Sequence, residues 1–243
     1  MRSGGLSAWL TLALASLALS CPSAASAAKV QKVQKAPKAQ AAKPPPPPPV
    51  EMTLEATEVA NWVIASGDNG DLPFMVIDKV AAAVFVFDGH GQGLGATPAL
   101  FGITPGDDSA PGVGDRELSD IPPEDRTTPA GRFVSRFGIA AGNRKVLWVD
   151  YVTAISLHPV ITTNKKERRL QRLNSPSPED NRITFGCINV PARFYAGIVV
   201  PNFKQGVGVV YILPEIKTLQ EAFPAYLAQG EPDPPAEMAH QDP

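Results

Sequence analysis

Cysteine is nearly absent from this chain: Cys21 and Cys187 are the only two among 243 residues, beside three histidines. Cys21 falls in a segment that reads as an export signal. The mature protein is therefore expected to keep Cys187 alone, which excludes an internal disulfide. Metal chemistry is poorly supplied as well. There is no HExxH pair and no paired-cysteine spacing, and one Cys with one well-placed His does not complete a four-ligand site. Phosphate and dinucleotide loops are missing too. Gly89, Gly91, Gly93 and Gly95 follow a strand-like run but open no helix. Neither a cofactor nor a metal is expected, and no internal repeat stands out. Long apolar runs are lacking: the one candidate, Trp9 to Leu19, is short for a membrane span.

What is present divides into four parts. Residues 1–27 read as a signal peptide, with Arg2 at the start and Ala25-Ser26-Ala27 as a small-x-small cleavage site. Ala18-Leu19-Ser20-Cys21 offers an alternative, lipid anchoring at Cys21. Either reading places the protein outside the cytoplasm, in a periplasm or cell envelope. Residues 28–50 form a Lys/Ala/Pro-rich linker that ends in six prolines, Pro44 to Pro49. Such a stretch cannot bury a core and favours an extended polyproline rod. Residues 51–228 suffice for one ordinary domain. Residues 229–243 are a polar, acidic, proline-rich tail expected to be disordered.

The formal net charge is −2, but it is unevenly placed. Without Arg2 and the five linker lysines, 16 basic side chains face 24 acidic ones, a balance of −8. An acidic domain argues against nucleic acid as a partner. The basic linker is a soluble spacer or, alternatively, a segment that rests on an anionic surface.

Thr53 to Ser66 has the pattern of a helix, with Thr53 as cap and Leu54, Val59, Trp62 and Val63 on a shared face. Phe74–Asp78, Ala83–Phe87 and Gly93–Phe101 read as an antiparallel meander. Gly102 to Pro129 is a long loop dense in Gly, Pro and Asp, and loops of that length are often functional. Strands are expected over Phe133–Ile139, Val146–Tyr151, Ala154–Leu157 and Gly206–Leu213, with a short helix at Pro191–Val200. Thr162 to Asp180 is a second polar excursion. The fold class is mostly β with few short helices.

Cys187 has two readings: a small buried hydrophobe or a nucleophile. Gly186 before it permits a tight backbone, an exposed thiol and amides available to an oxyanion. His158 ends an apolar run and is held by Pro159. A histidine within reach can take the thiol proton. His90 lies in a glycine-rich turn and His240 in the tail, so His158 alone is placed like an oriented base.

The order His158…Thr184-x-Gly186-Cys187-x-Asn189 resembles the signature of the L,D-transpeptidases, the YkuD-like family. That signature is a histidine, a spacer, then Ser/Thr-His-Gly-Cys, a variable residue, and Arg or Asn. Thr128-Pro129-Ala130-Gly131-Arg132-Phe133 resembles the family's Thr-Pro-x-Gly-x-Phe segment, and Asp78-Lys79 before Val84–Phe87 resembles its opening hairpin. The resemblance runs over roughly residues 73 to 213.

It implies a β-sandwich catalytic domain acting on peptidoglycan stem peptides without a cofactor. The bond cut lies between the L-centre of diaminopimelate and a terminal D-Ala. The acyl group passes to an amine on another stem, to a cell-wall-anchored protein, or to water. By the same resemblance Cys187 is the nucleophile, His158 the base, Pro159 its orienting carbonyl, and Gly186 part of the oxyanion site. Thr184, Asn189, Phe185, Arg182 and Arg169 are the candidate substrate contacts, and a monomer is the expected state. Two departures matter. Phe185 stands where the family has histidine, so a catalytically weak binding or regulatory domain is the alternative. The His158–Cys187 spacing of 29 positions is long, and the extra segment carries Lys165, Lys166, Arg168, Arg169 and Arg172. That segment is a solvated loop or a lid that attracts carboxylates.

Overall fold

The computed structural model describes residues 49–229, except 205. The signal peptide with Cys21, nearly all of the linker, the tail and His240 lie outside the described residues. Among the described residues no helix is long and apolar enough to cross a membrane.

Helix α1 spans Leu54–Ser66, and the Thr53 hydroxyl accepts from the Ala56 amide as its N-cap. Gly67, in the left-handed region at φ 66°, closes it. Strands β1 (Phe74–Asp78), β2 (Ala83–Phe87) and β3 (Gly93–Pro98) form the expected antiparallel meander. Short β4 (Phe101–Gly102) leads into the long loop. Then come β5 (Gly131–Ala140), β6 (Arg144–Asp150) and β7 (Ile155–Pro159). Helix α2 (Arg169–Leu173) lies in the second polar segment, before β8 (Arg182–Thr184) and β9 (Ile188–Val190). Helix α3 (Ala192–Phe194) runs through a π turn (Tyr195–Val199) into α4 (Val200–Phe203). Strand β10 (Val207–Ile212) and α5 (Leu219–Ala222) follow.

The main sheet has eight strands in the order β3-β2-β1-β10-β5-β6-β7-β9, and β4 pairs with β8 in a two-stranded sheet. The sheets are mixed: β1/β10, β7/β9 and β4/β8 are parallel pairs. The expected sandwich with few short helices is thus corrected to a mixed sheet with several helices. The physical reason is that β1 and β2 are buried at every position. Both faces need cover, and helices supply much of it. Phe74, Val76, Phe85, Val209 and Tyr211 pack with Val59, Trp62 and Val63 of α1. Met75, Ile77, Val84, Val86 and Ile212 share the other core with Leu147, Leu157 and Ile188, and with Tyr195, Val199 and Phe203 of the continuous helical segment.

The last strand also meets the chain just past β3. Leu100 and Asn189 exchange two backbone hydrogen bonds, at 2.8 and 3.0 Å. This bridge nearly closes the sheet and gives the edge of β9 a partner. It passes through Asn189, a residue of the candidate site.

Candidate active site

Strands β7 and β9 lie side by side, with His158 level with Asn189 and Leu157 level with Ile188. Side chains alternate along a strand, so Ser156 and His158 share one face with Cys187 and Asn189. The contacts follow that geometry. Ser156 Oγ and Cys187 Sγ are hydrogen-bonded at 3.5 Å, and Asn189 Nδ2 is 3.1 Å from His158 Nε2. Cys187 is unpaired and half-buried. Its sulfur also points at the Ala154 carbonyl, 3.7 Å away. Ala154 holds that position with φ 56°, an uncommon conformation for a residue with a Cβ. His158 stands diagonally across from Cys187, and no hydrogen bond joins the two among the described residues.

The ring of His158 is oriented by its own strand end: Nδ1 donates to the Pro159 carbonyl at 2.9 Å. Burial pushes the pKa of His158 below its ordinary value. The Pro159 hydrogen bond opposes that shift, and the charges of Arg144 and Arg169 add to it. The imidazole is therefore neutral near neutral pH, with a lone pair on Nε2.

The loop before Cys187 is braced from inside. Thr184 is buried; its Oγ1 donates to the Cys187 carbonyl at 2.7 Å and accepts from the Gly186 amide at 3.1 Å. The Gly186 N–H is thus engaged, which leaves the Cys187 N–H as the nearer candidate for an oxyanion. Gly186 has φ +120°, and a Cβ there would lie 2.7 Å from both the Thr127 carbonyl oxygen and Ile155. Only glycine fits this approach. Thr128 Oγ1 donates to the Gly186 carbonyl at 2.7 Å and accepts from Gly102 N at 2.9 Å, fastening both ends of the long loop to the site.

Phe185 is half-buried, and the Arg126 guanidinium lies 3.9 Å from its ring centroid. The aromatic face thus holds a cation of the long loop. Asn189 is buried and links two partners: its Oδ1 accepts from Arg169 Nη1 at 2.7 Å, while its amide faces His158. Arg169 is also paired with Glu167.

The structure therefore gathers Cys187, His158, Pro159, Gly186, Thr184, Asn189, Phe185 and Arg169. Arg182 makes its contacts elsewhere, with Glu215 and with the Lys79 carbonyl at 3.2 Å. Sequence reasoning missed Ser156, the Ala154 carbonyl and Arg126. Ser156 had a usable signal, since it lies two residues before His158 on the same strand face. The others come from tertiary contacts that leave no local pattern.

No protein-family model and no curated protein matches the chain. Among solved structures it is similar to the catalytic domain of an L,D-transpeptidase from E. faecium, at 14% identity and TM-score 0.34, covering 59% of this chain and 98% of that one. It is also similar to the L,D-transpeptidase LdtMt1 in complex with imipenem, at 14% identity and TM-score 0.35, covering 59% of each chain. A third is the L,D-transpeptidase of Xylanimonas cellulosilytica DSM 15894, at 14% identity and TM-score 0.34, covering 59% and 61%. These likenesses are distant, and the functional reading rests on the site's own residues.

Proposed function

We propose that this protein is an exported cysteine acyltransferase of the cell wall, an L,D-transpeptidase or L,D-carboxypeptidase acting on peptidoglycan stem tetrapeptides. The observation that carries the reading is the shared face of β7 and β9. A free thiol and a neutral, carbonyl-oriented imidazole stand there on adjacent strands, behind a glycine that tolerates no side chain. The sequence signature around Cys187 supports the substrate class.

In this reading His158 Nε2 takes the Cys187 proton and the thiolate attacks the carbonyl at the L-centre of diaminopimelate. The Cys187 amide stabilises the oxyanion. Collapse breaks the bond to D-Ala, whose nitrogen receives the proton from the imidazolium. An amine on another stem, a cell-wall-anchored protein or water then takes the acyl group, and Cys187 is regenerated. Phe185 and Arg169 border the substrate, and the protein works as a monomer in the periplasm or cell envelope. A lipid anchor at Cys21 is the alternative to simple cleavage of the signal.

One observation favours a second reading, a binding or regulatory domain with little activity. The hydrogen bonds of Cys187 go to Ser156 and Ala154, and the His158 lone pair meets Asn189. Purified tetrapeptide muropeptides decide between the two. The mature protein should release D-Ala and form dimers or hydrolysed tripeptides, and Cys187→Ala should lose this by about 10³-fold or more. Absence of all these products from the wild-type protein would leave the second reading.

A further inference from the structure

Five residues form a connected line that acyl transfer itself does not require. Glu167 pairs with Arg169 Nε; Arg169 Nη1 donates to Asn189 Oδ1 at 2.7 Å; Asn189 Nδ2 is 3.1 Å from His158 Nε2; His158 Nδ1 meets the Pro159 carbonyl at 2.9 Å. The polarity of this line admits one assignment. A guanidinium only donates, so Asn189 must turn its oxygen to Arg169 and its NH₂ to His158. Nε2 is then an acceptor, and Nδ1 carries the proton that the Pro159 carbonyl accepts. The lone pair needed by Cys187 is already occupied.

Arg169 and Glu167 belong to the basic segment between β7 and β8, not to the sheet. Arg168 beside them holds φ 52°, a conformation that costs energy for a residue with a Cβ. A groove of about 600 Å³ opens alongside, with Lys165, Arg168, Arg169 and Gln171 in its wall. A carboxylate arriving there faces several cations and a guanidinium edge whose acceptor, the Asn189 oxygen, is uncharged. Arg169 gains from a carboxylate a Coulomb attraction and a two-oxygen fit to its fork that a neutral amide oxygen does not supply. Glu167 retains the Nε edge of Arg169, while the Nη1 edge can exchange a neutral amide oxygen for the carboxylate.

We propose that Arg169 is a positioning residue that restrains His158 through Asn189, and that a carboxylate-bearing substrate in this groove releases the base by taking over Arg169. This rests on the reading of His158 as the base for Cys187. The thiolate is the form that oxidises. A base held off until substrate arrives therefore also protects a lone thiol.

The test is alkylation of Cys187 in the full chain by iodoacetamide at neutral pH, followed by intact mass. Arg169→Met should alkylate about fivefold faster than wild type, because Asn189, without its fixed donor, can turn its amide away and release one hydrogen bond on the base. Arg169→Lys, which keeps a donor for Asn189, should return the rate toward wild type. Replacing chloride by acetate at constant ionic strength should speed the wild type and leave Arg169→Met unchanged. An unchanged or slower Arg169→Met overturns the restraint. If that variant fails to fold, the acetate arm on wild type decides, and no acceleration overturns it. His158→Gln separates the two layers. If His158→Gln changes the rate neither of wild type nor of Arg169→Met, the base reading itself fails. If it slows while Arg169→Met stays at the wild-type rate, only the restraint fails.

Discussion

Two polar segments approach the Cys187 face, and they are anchored in opposite ways. The loop between β4 and β5 is fastened by buried charge. Lys79 Nζ donates to Asp107 Oδ1 at 2.8 Å, to the Thr128 carbonyl at 2.9 Å and to the Gly106 carbonyl, and Glu215 lies 3.4 Å away. The Lys79 side chain is 0% exposed and that of Asp107 2%. The segment between β7 and β8 is held by Arg169 and Glu167, 11% and 29% exposed. Its other arginine contacts go largely to the backbone, as when Arg172 donates to the Glu167 and Asp180 carbonyls. Similar polar composition thus yields a fixed wall on one side and an exchangeable contact on the other. The depth of the anchor decides which, because a buried charge cannot leave its partner without a large desolvation penalty.

Lys79→Met tests the contrast most severely. It leaves the buried Asp107 without its cation, while Glu215 keeps Arg182, and unfolding in urea should show a loss of about 3–5 kcal/mol. Arg169→Met in the same assay should lose less, about 1–3 kcal/mol, because it strips the donor from the buried Asn189 oxygen but leaves no buried charge unpaired. Equal losses would break the comparison.

Acid should loosen the wall next. Burial alone would raise the pKa of Asp107. Lys79 and the amides of Lys217, Glu215 and Ile216 outweigh it and hold the carboxyl down to about 2, from 3.8 in the unfolded chain. The unfolded state therefore binds the proton first as pH falls. Stability is full above pH 3.8 and declines as pH drops toward about 2. A melting series over that range should slope downward in wild type and flatten in Asp107→Asn. Matching slopes would remove Asp107 from the account.

The smallest effect concerns the outer fastening. Arg126→Gln removes the cation over Phe185, and melting should report a loss of about 0.5–1 kcal/mol. A loss as large as that of Lys79→Met would mean the wall rests on the aromatic contact instead.

The strands and α1 were legible because burial imposes a period. Thr53 to Ser66 carries its cap and apolar face in sequence, and the runs at Phe74 and Ala83 are apolar throughout because both faces are covered. Helix α2 was not legible. Its five residues include three charged or polar ones, and only Leu173 is buried. Arg182 illustrates the same limit, since nothing local marks Glu215, 33 positions on, as its partner.

The sequence by itself determined that a lone cysteine follows a glycine, with one histidine upstream to serve it. His158-Pro159 places its own acceptor beside the ring. These are local facts and need few distant residues to hold. Tertiary structure decided how the pair is presented. It set Cys187 against Ser156 and Ala154, gave the His158 lone pair to Asn189, and brought Arg169 from a separate segment to hold that amide. Those contacts depend on the β7/β9 register and on the closure at Leu100. Both are set by long-range pairing that no local pattern encodes.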